Sequence, residues 1–181
     1  MLEPWLEAHP RTRAHALVPP DVASVLLVGC GAGDDALALA ERIVGARVTG
    51  VDTSLARIDE ALRRARHVAL AVHFAVADAR ALPFDDERFD VVLADGVLGE
   101  VDDRLRAARE LARVTRAGGR VLVHERADVI SPRAPSSGDD HVATLLLRAG
   151  LGAVEIADEW THHDGARGVT LIGLKPRDEV G

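Results

Sequence analysis

The chain contains no tyrosine and a single cysteine, Cys30, among its 181 residues. One thiol permits neither an internal disulfide nor an all-cysteine zinc site, which agrees with a reducing compartment. No apolar run is long enough to cross a bilayer. The opening stretch MLEPWLEAHPRTRAHALVPP has acids and prolines where a secretory signal would keep an unbroken apolar segment. It is therefore expected to belong to the mature protein, with the cytoplasm as the compartment and no membrane as a partner. A basic excess is missing as well: the formal net charge is −7, which argues against nucleic acid, because phosphate binding relies on surplus Lys and Arg. The arginines that do cluster, Arg57, Arg63, Arg64 and Arg66 and then Arg104, Arg106, Arg109, Arg113 and Arg116, share helical spacing with Leu55, Ile58, Leu62, Leu105 and Leu111. They read as solvated faces opposite apolar ones.

What remains is an ordinary globular composition, 48% hydrophobic and 28% charged, in a chain long enough for one substantial core. Residues 1–20 are expected to form a cap in which Leu2, Trp5 and Leu6 cover one sheet edge, and residues 21–181 a single domain. No internal repeat interrupts them. Short β-branched runs mark strands at Val25–Val28, Arg47–Val51, Val72–Val76, Asp90–Leu93, Arg120–His124, Val154–Ala157 and Val169–Leu174. Helical periodicity marks Asp34–Val44, Ser54–His67, Asp103–Thr115 and Asp140–Ala149, several of which open on Asp or Ser, residues that cap free amides. This alternation predicts an α/β fold with a parallel sheet covered on both faces. Between the last two strands lies DEWTHHDGARG, without helical period, so these two are expected to form an antiparallel hairpin. The Pro-, Ser- and Gly-rich segment from Glu125 to Asp140 reads as a loop and a candidate lid, with Val129 and Ile130 as its apolar contacts.

The most informative stretch is VLLVGCGAGDDALALAERIVGARVTGVDTS, Val25 to Ser54. A strand delivers the chain to Gly29, Gly31 and Gly33, and a helix follows at once, so bare backbone and the positive end of a helix meet at the carboxyl edge of the sheet. Asp52 ends the next strand about twenty residues on, the separation at which a carboxylate reaches a ribose diol. The pair points to a nucleoside cofactor. The glycine spacing is G-x-G-x-G, whereas dinucleotide binders use G-x-G-x-x-G, and Asp34 after the last glycine is unsuited to a pyrophosphate. A nicotinamide-dependent oxidoreductase is further weakened because a chain without tyrosine has no Tyr-x-x-x-Lys pair.

In these motifs the chain resembles the class I S-adenosylmethionine-dependent methyltransferases, in particular the small-molecule branch with the methyltransferase-11 type of domain. The likeness runs from Val25 to Pro176 through LLVGCGAG, VTGVDTS, VADARALPFDDERFDVVLADGVL and ELARVTRAGGRVLVHE. It implies a doubly wound, Rossmann-like seven-stranded sheet in the order 3-2-1-4-5-7-6 with the last strand antiparallel. It also implies S-adenosylmethionine as cofactor and a small-molecule acceptor. The cofactor residues it implies are Gly29, Cys30, Gly31, Gly33, Asp52 and Thr53 around the methionyl and ribose parts, Asp78 and Ala79 at the adenine, and Asp95. The chain departs from the pattern at Leu27, where many members carry an acid that orients the methionine amino group; Leu27 is thus expected to mark a weaker grip. It departs again at ADGVLGEVDD, where Gly96 and Gly99 replace the aromatic or histidine of relatives.

Methyl transfer from a sulfonium needs alignment, exclusion of water and, for some acceptors, a base. The polar groups expected at the carboxyl edge are Asp95, His124, Glu125, Thr161, His162, His163 and Asp164, of which Asp95 and His124 are the catalytic candidates. Each has a structural alternative: a turn brace, a core histidine, an exposed hairpin tip. A metal site from His124, Glu125, Asp139, Asp140 and His141 lacks any enforced ligand spacing, and no metal is expected. Cys30 reads more simply as a small residue packed beneath the turn than as a nucleophile. Two functions stay open: methyl transfer to a small molecule, or a non-methylating role on the same cofactor fold, as a cyclase, isomerase or binding subunit. The oligomeric state is expected to be monomer or homodimer.

Overall fold

The computed structural model describes residues 14–130, 141–161 and 167–177. Its elements run β1 (Ser24–Val28), α1 (Asp34–Arg42), β2 (Arg47–Asp52), α2 (Leu55–Ala65), β3 (Val72–Val76), β4 (Phe89–Asp95), α3 (Arg104–Val114), β5 (Thr115–Arg126), α4 (Ala127–Ile130), α5 (Val142–Arg148), β6 (Gly152–Thr161) and β7 (Arg167–Leu174). The strands form one sheet in the order β3-β2-β1-β4-β5-β7-β6. The five strands from β3 to β5 are parallel, and β7 runs antiparallel to both β5 and β6. This is the order and hairpin expected from the sequence.

Strands buried on both faces need apolar residues at every position, and β1, SVLLV, is buried throughout. Side chains alternate across it. Leu26 and Val28 join Val92, Ala94, Val121 and Val123 against Ala107, Ala108 and Leu111 of α3 and Leu145 and Leu146 of α5. Val25 and Leu27 join Val91, Leu93 and Leu122 against Ala36 and Leu39 of α1, Ile43, and Ile58 of α2. Leu27, 1% exposed, is therefore a core residue whose side chain packs in the α1–α2 layer. Ala14 and Val18 close that layer, and the Arg42 guanidinium donates to the carbonyls of His15 and Val18 at 2.6 and 2.9 Å. Leu2, Trp5 and Leu6 lie outside the described residues.

The largest departures from the expected boundaries fall in the second half of the sheet. β5 begins at Thr115 rather than Arg120, because Arg116 to Gly119 bulge opposite the single residue Asp90; a Cβ on Gly119 would stand 2.7 Å from the Asp90 carbonyl oxygen. β6 extends to Thr161 because β7 pairs with it along its length. The expected loop after His124 instead carries Glu125 and Arg126 in β5 and one helical turn, α4. The side chain of Ile130 and residues 131–140 lie outside the described part.

Candidate active site

At the carboxyl ends of β1, β2 and β4 the chain leaves a cleft of about 690 Å³. Its floor is the glycine loop. The amides of Gly29 and Cys30 both donate to the Val51 carbonyl, at 2.8 and 3.0 Å, which turns the chain off β1. At Gly29 (φ +80) a Cβ would stand 2.6 Å from the Asp95 carbonyl oxygen, so the loop can cross the end of β4 only without a side chain. Gly31 lines the cleft with φ +55, and nothing lies within 4 Å of where its Cβ would be. Gly96, on the opposite wall, is equally bare. The two positions present naked backbone to a ligand, which is what a close-fitting nucleoside cofactor requires. Gly33 and Cys30 support the loop from beneath: Gly33 packs on Phe74 and Ala61, and Cys30 sits in the core with its thiol pushed up to about 12 by burial and by Asp52. A thiol so placed supplies no nucleophile, and neither residue lines the cleft.

Asp52 lines the cleft while 7% exposed. One carboxylate oxygen accepts the Gly31 amide and the other the Ser54 amide, each at 2.9 Å, and the Arg57 guanidinium lies 3.8 Å away. The acid at the end of β2 thus fastens the glycine loop and starts α2. A carboxylate offers about four acceptor positions, so two remain for hydroxyl donors. Thr53, Asp78 and Ala79 line the same region. Asp78 accepts both the backbone amide and the guanidinium of Arg80, at 2.6 to 3.1 Å; these bonds hold its carboxyl down at about 2. Arg80 also pairs with Asp102, so its guanidinium ties the loop after β3 to the wall after β4.

That second wall comprises Asp95, Gly96, Val97, Glu100, Val101 and Asp102. His124 stands opposite Asp95 in the β4–β5 register, and its carbonyl accepts the Gly96 amide at 2.9 Å. Its side chain is not among those lining the cleft. It is 6% exposed, with Nδ1 3.1 Å from the Thr170 hydroxyl and its ring stacked on Trp160 at 4.1 Å. Glu125, next along β5, is 4% exposed and accepts the Gly99 amide at 3.2 Å. Burial, with help from Asp95, lifts its carboxyl to about 7 against the pull of the Gly99 and Leu98 amides and Arg104.

The sequence motifs therefore converge for Gly29, Gly31, Asp52, Thr53, Asp78, Ala79 and Asp95. Thr161 ends β6, while His162, His163, Asp164, Asp139 and Asp140 lie outside the described residues. Among the described residues no three His, Cys, Asp or Glu side chains gather as a metal site, and no helix is long and apolar enough to cross a membrane. Sequence reasoning missed Arg57, Arg80, Glu100 and Asp102. Arg57, one turn into α2 behind Asp52, carried a signal in its spacing; the other three meet only through the fold.

Residues 26–123 match the family described as methyltransferase domain. Among curated relatives, the demethylmenaquinone methyltransferase of Roseiflexus castenholzii is 37% identical over 150 residues, covering 79% of this chain and 60% of that protein. The 27-O-demethylrifamycin SV methyltransferase of Amycolatopsis mediterranei is 34% identical over 156 residues, covering 84% of this chain and 54% of its own length. The chain thus spans little more than half of these relatives. The crystal structure of the [4+2]-cyclase SpnF superposes with a TM-score of 0.71 at 22% identity, covering 92% of this chain and 78% of that one, a likeness of fold. The chain belongs to the class I S-adenosylmethionine-dependent methyltransferase family.

Proposed function

We propose that the protein transfers a methyl group from S-adenosylmethionine to a small-molecule acceptor. The observation that carries this reading is the joining of Asp52 to the Gly31 amide at the floor of an open cleft, which leaves two acceptor positions of a buried carboxylate for ribose hydroxyls. Gly29 and Gly31 would lie against the methionyl part, Asp52 and Thr53 against the ribose, Asp78 and Ala79 against the adenine, and Asp95 beside the methionine end. When bound, S-adenosylmethionine supplies an activated methyl group. The chain's residues hold it, keep water from it and orient the acceptor.

Electrostatics supports the choice of cofactor and acceptor. The cleft carries five carboxylates, Asp52, Asp78, Asp95, Glu100 and Asp102, against the guanidiniums of Arg57 and Arg80. This field favours a sulfonium and repels the pyrophosphate of a dinucleotide or the backbone of a nucleic acid. The small-molecule acceptor is supported by the relatives named for demethylmenaquinone and demethylrifamycin. A cytoplasmic monomer or homodimer accords with the single cysteine and acidic balance. Calorimetry against S-adenosylhomocysteine, S-adenosylmethionine and NAD tests the assignment: the first two should bind, and binding of NAD alone would overturn it. A non-methylating role on the same fold would show as S-adenosylmethionine binding without methyl loss when isotope-labelled cofactor is offered to a panel of hydroxyl, amine and quinol acceptors.

A further inference from the structure

The wall between β4 and α3 is a loop whose ends are fixed by secondary structure: the Gly96 amide bonds to β5, and Asp103 caps α3 through the Arg106 amide at 3.0 Å. Its middle has a different anchor. Leu98 is fully buried, and the Gly99 amide donates to Glu125 Oε1 at 3.2 Å. A Cβ on Gly99 would stand 3.1 Å from Val129 of α4 and 3.3 Å from Glu125 Oε2. A side chain at 99 would thus crowd Val129 and Glu125, which would have to give by a few tenths of an ångström. A buried carboxylate is costly unless its bonds are needed where it lies. The groups around it do not neutralise it: Asp95 from β4 opposes its charge and Arg104 from α3 favours it, while His124 and Arg126 flank it in its own strand and Glu100 and Asp102 belong to the loop it holds.

We propose that Glu125 is a positioning residue, whose carboxyl group holds the Gly96–Asp102 wall in the shape that admits the cofactor. The inference rests on the reading of the cleft as the S-adenosylmethionine site. Glu125 touches neither cofactor nor acceptor; it acts through the amides of Gly99 and Leu98. Because burial raises its carboxyl to about 7, the closed wall favours the neutral acid, so ionisation as pH rises through neutrality loosens the brace and the wall with it.

Two variants test this, Glu125→Ala, which removes the brace, and Glu125→Gln, which keeps an acceptor for the amides and cannot ionise. Amide hydrogen exchange without any ligand at pH 6 should be about tenfold faster at Leu98 and Gly99 in Glu125→Ala and close to wild type in Glu125→Gln. Calorimetry with S-adenosylhomocysteine should show wild-type affinity falling from pH 5.5 to 8, a flatter profile in Glu125→Gln, and Glu125→Ala weaker by about fivefold at pH 6. Wild-type exchange rates in Glu125→Ala would overturn the brace, and an unaltered pH profile in Glu125→Gln would overturn its role in positioning. Should the wild-type protein bind no S-adenosylhomocysteine, the reading of the cleft fails, while the ligand-free exchange still decides whether Glu125 holds the wall.

Discussion

Replacing Asp52 separates its two duties, because its bonds to the protein are visible and those to the cofactor are inferred. Its two oxygens accept the Gly31 and Ser54 amides at 2.9 Å in a site only 7% exposed, so solvent offers little compensation when they are lost. Two ribose hydroxyls donating to the remaining positions would each contribute about 1.5–3 kcal/mol as bonds to a charged acceptor. Asp52→Ala removes both, and a loss of about 3 kcal/mol or more corresponds to about a hundredfold weaker binding or worse. Asp52→Asn retains one neutral acceptor and turns its amino group toward a backbone amide, so its affinity should fall between alanine and wild type, by at least about tenfold. Both variants orphan part of the loop's backbone, costing about 1–3 kcal/mol and several degrees of melting temperature. The assay is calorimetric titration with S-adenosylhomocysteine, with circular dichroism to establish that each variant is folded. A folded Asp52→Ala with wild-type affinity would refute the ribose assignment.

Three further outcomes are expected. Leu27→Asp places a carboxylate where the side chain is 1% exposed in the α1–α2 layer, and should lower the melting temperature by about 10 °C or more with no gain in cofactor affinity; tighter binding in a stable variant would contradict the core assignment. Glu125 carries a folded-state pKa of about 7, above its ordinary 4.5. Its contribution to stability is therefore present below 4.5 and lost as pH rises through 7, so Glu125→Gln should be more stable than wild type above pH 7, by up to about 3 kcal/mol, and show no such advantage near pH 4. Chemical denaturation at the two pH values measures it. Asp78→Ala should erase a roughly tenfold preference for S-adenosylhomocysteine over its 6-deaminated inosine analogue, a preference that competition binding reads directly; discrimination persisting in the variant would place the adenine elsewhere.

The sheet was legible because its central strands are buried on both faces and so announce themselves as apolar runs, and because β6 and β7 are joined by too short a connection for a crossover. Asp52 was legible for a related reason: strand end, glycine loop and acid lie close in sequence, and the parallel pairing of β1 with β2 makes them neighbours. Reading failed where contacts depend on the assembled fold. Arg80 meets Asp102 across the cleft, and Gly99 meets Glu125 from another strand; neither spacing corresponds to a helix or strand repeat. Gly99 looked like a departure from its relatives, and the fold shows what stands near it: a Cβ there would meet Val129 at 3.1 Å and Glu125 at 3.3 Å. His124 drew attention by its place after an apolar strand. Its side chain is committed to Thr170 and Trp160, a partnership formed by the β5–β7–β6 pairing.

The same device recurs around the sheet: an acid side chain accepts backbone amides and thereby fixes where a connection leaves or enters a strand. Asp90 takes the amides of Ala23 and Ser24, each at 2.8 Å, at the start of β1. Asp52 takes Gly31 and Ser54 at the cleft floor, and Glu125 takes Gly99 at the far wall. These polar bonds act beside the packing of buried loop residues such as Leu98 and Cys30. The environments of the last two acids differ in sign. Asp52 has the Arg57 guanidinium 3.8 Å away, whereas Glu125 faces the like charge of Asp95 in a buried site. An attractive neighbour favours a fixed charge, and a repulsive one in low dielectric opposes it. The floor of the cleft is therefore built around a carboxylate with a cation beside it, and the far wall around one whose charge burial, and then Asp95, oppose.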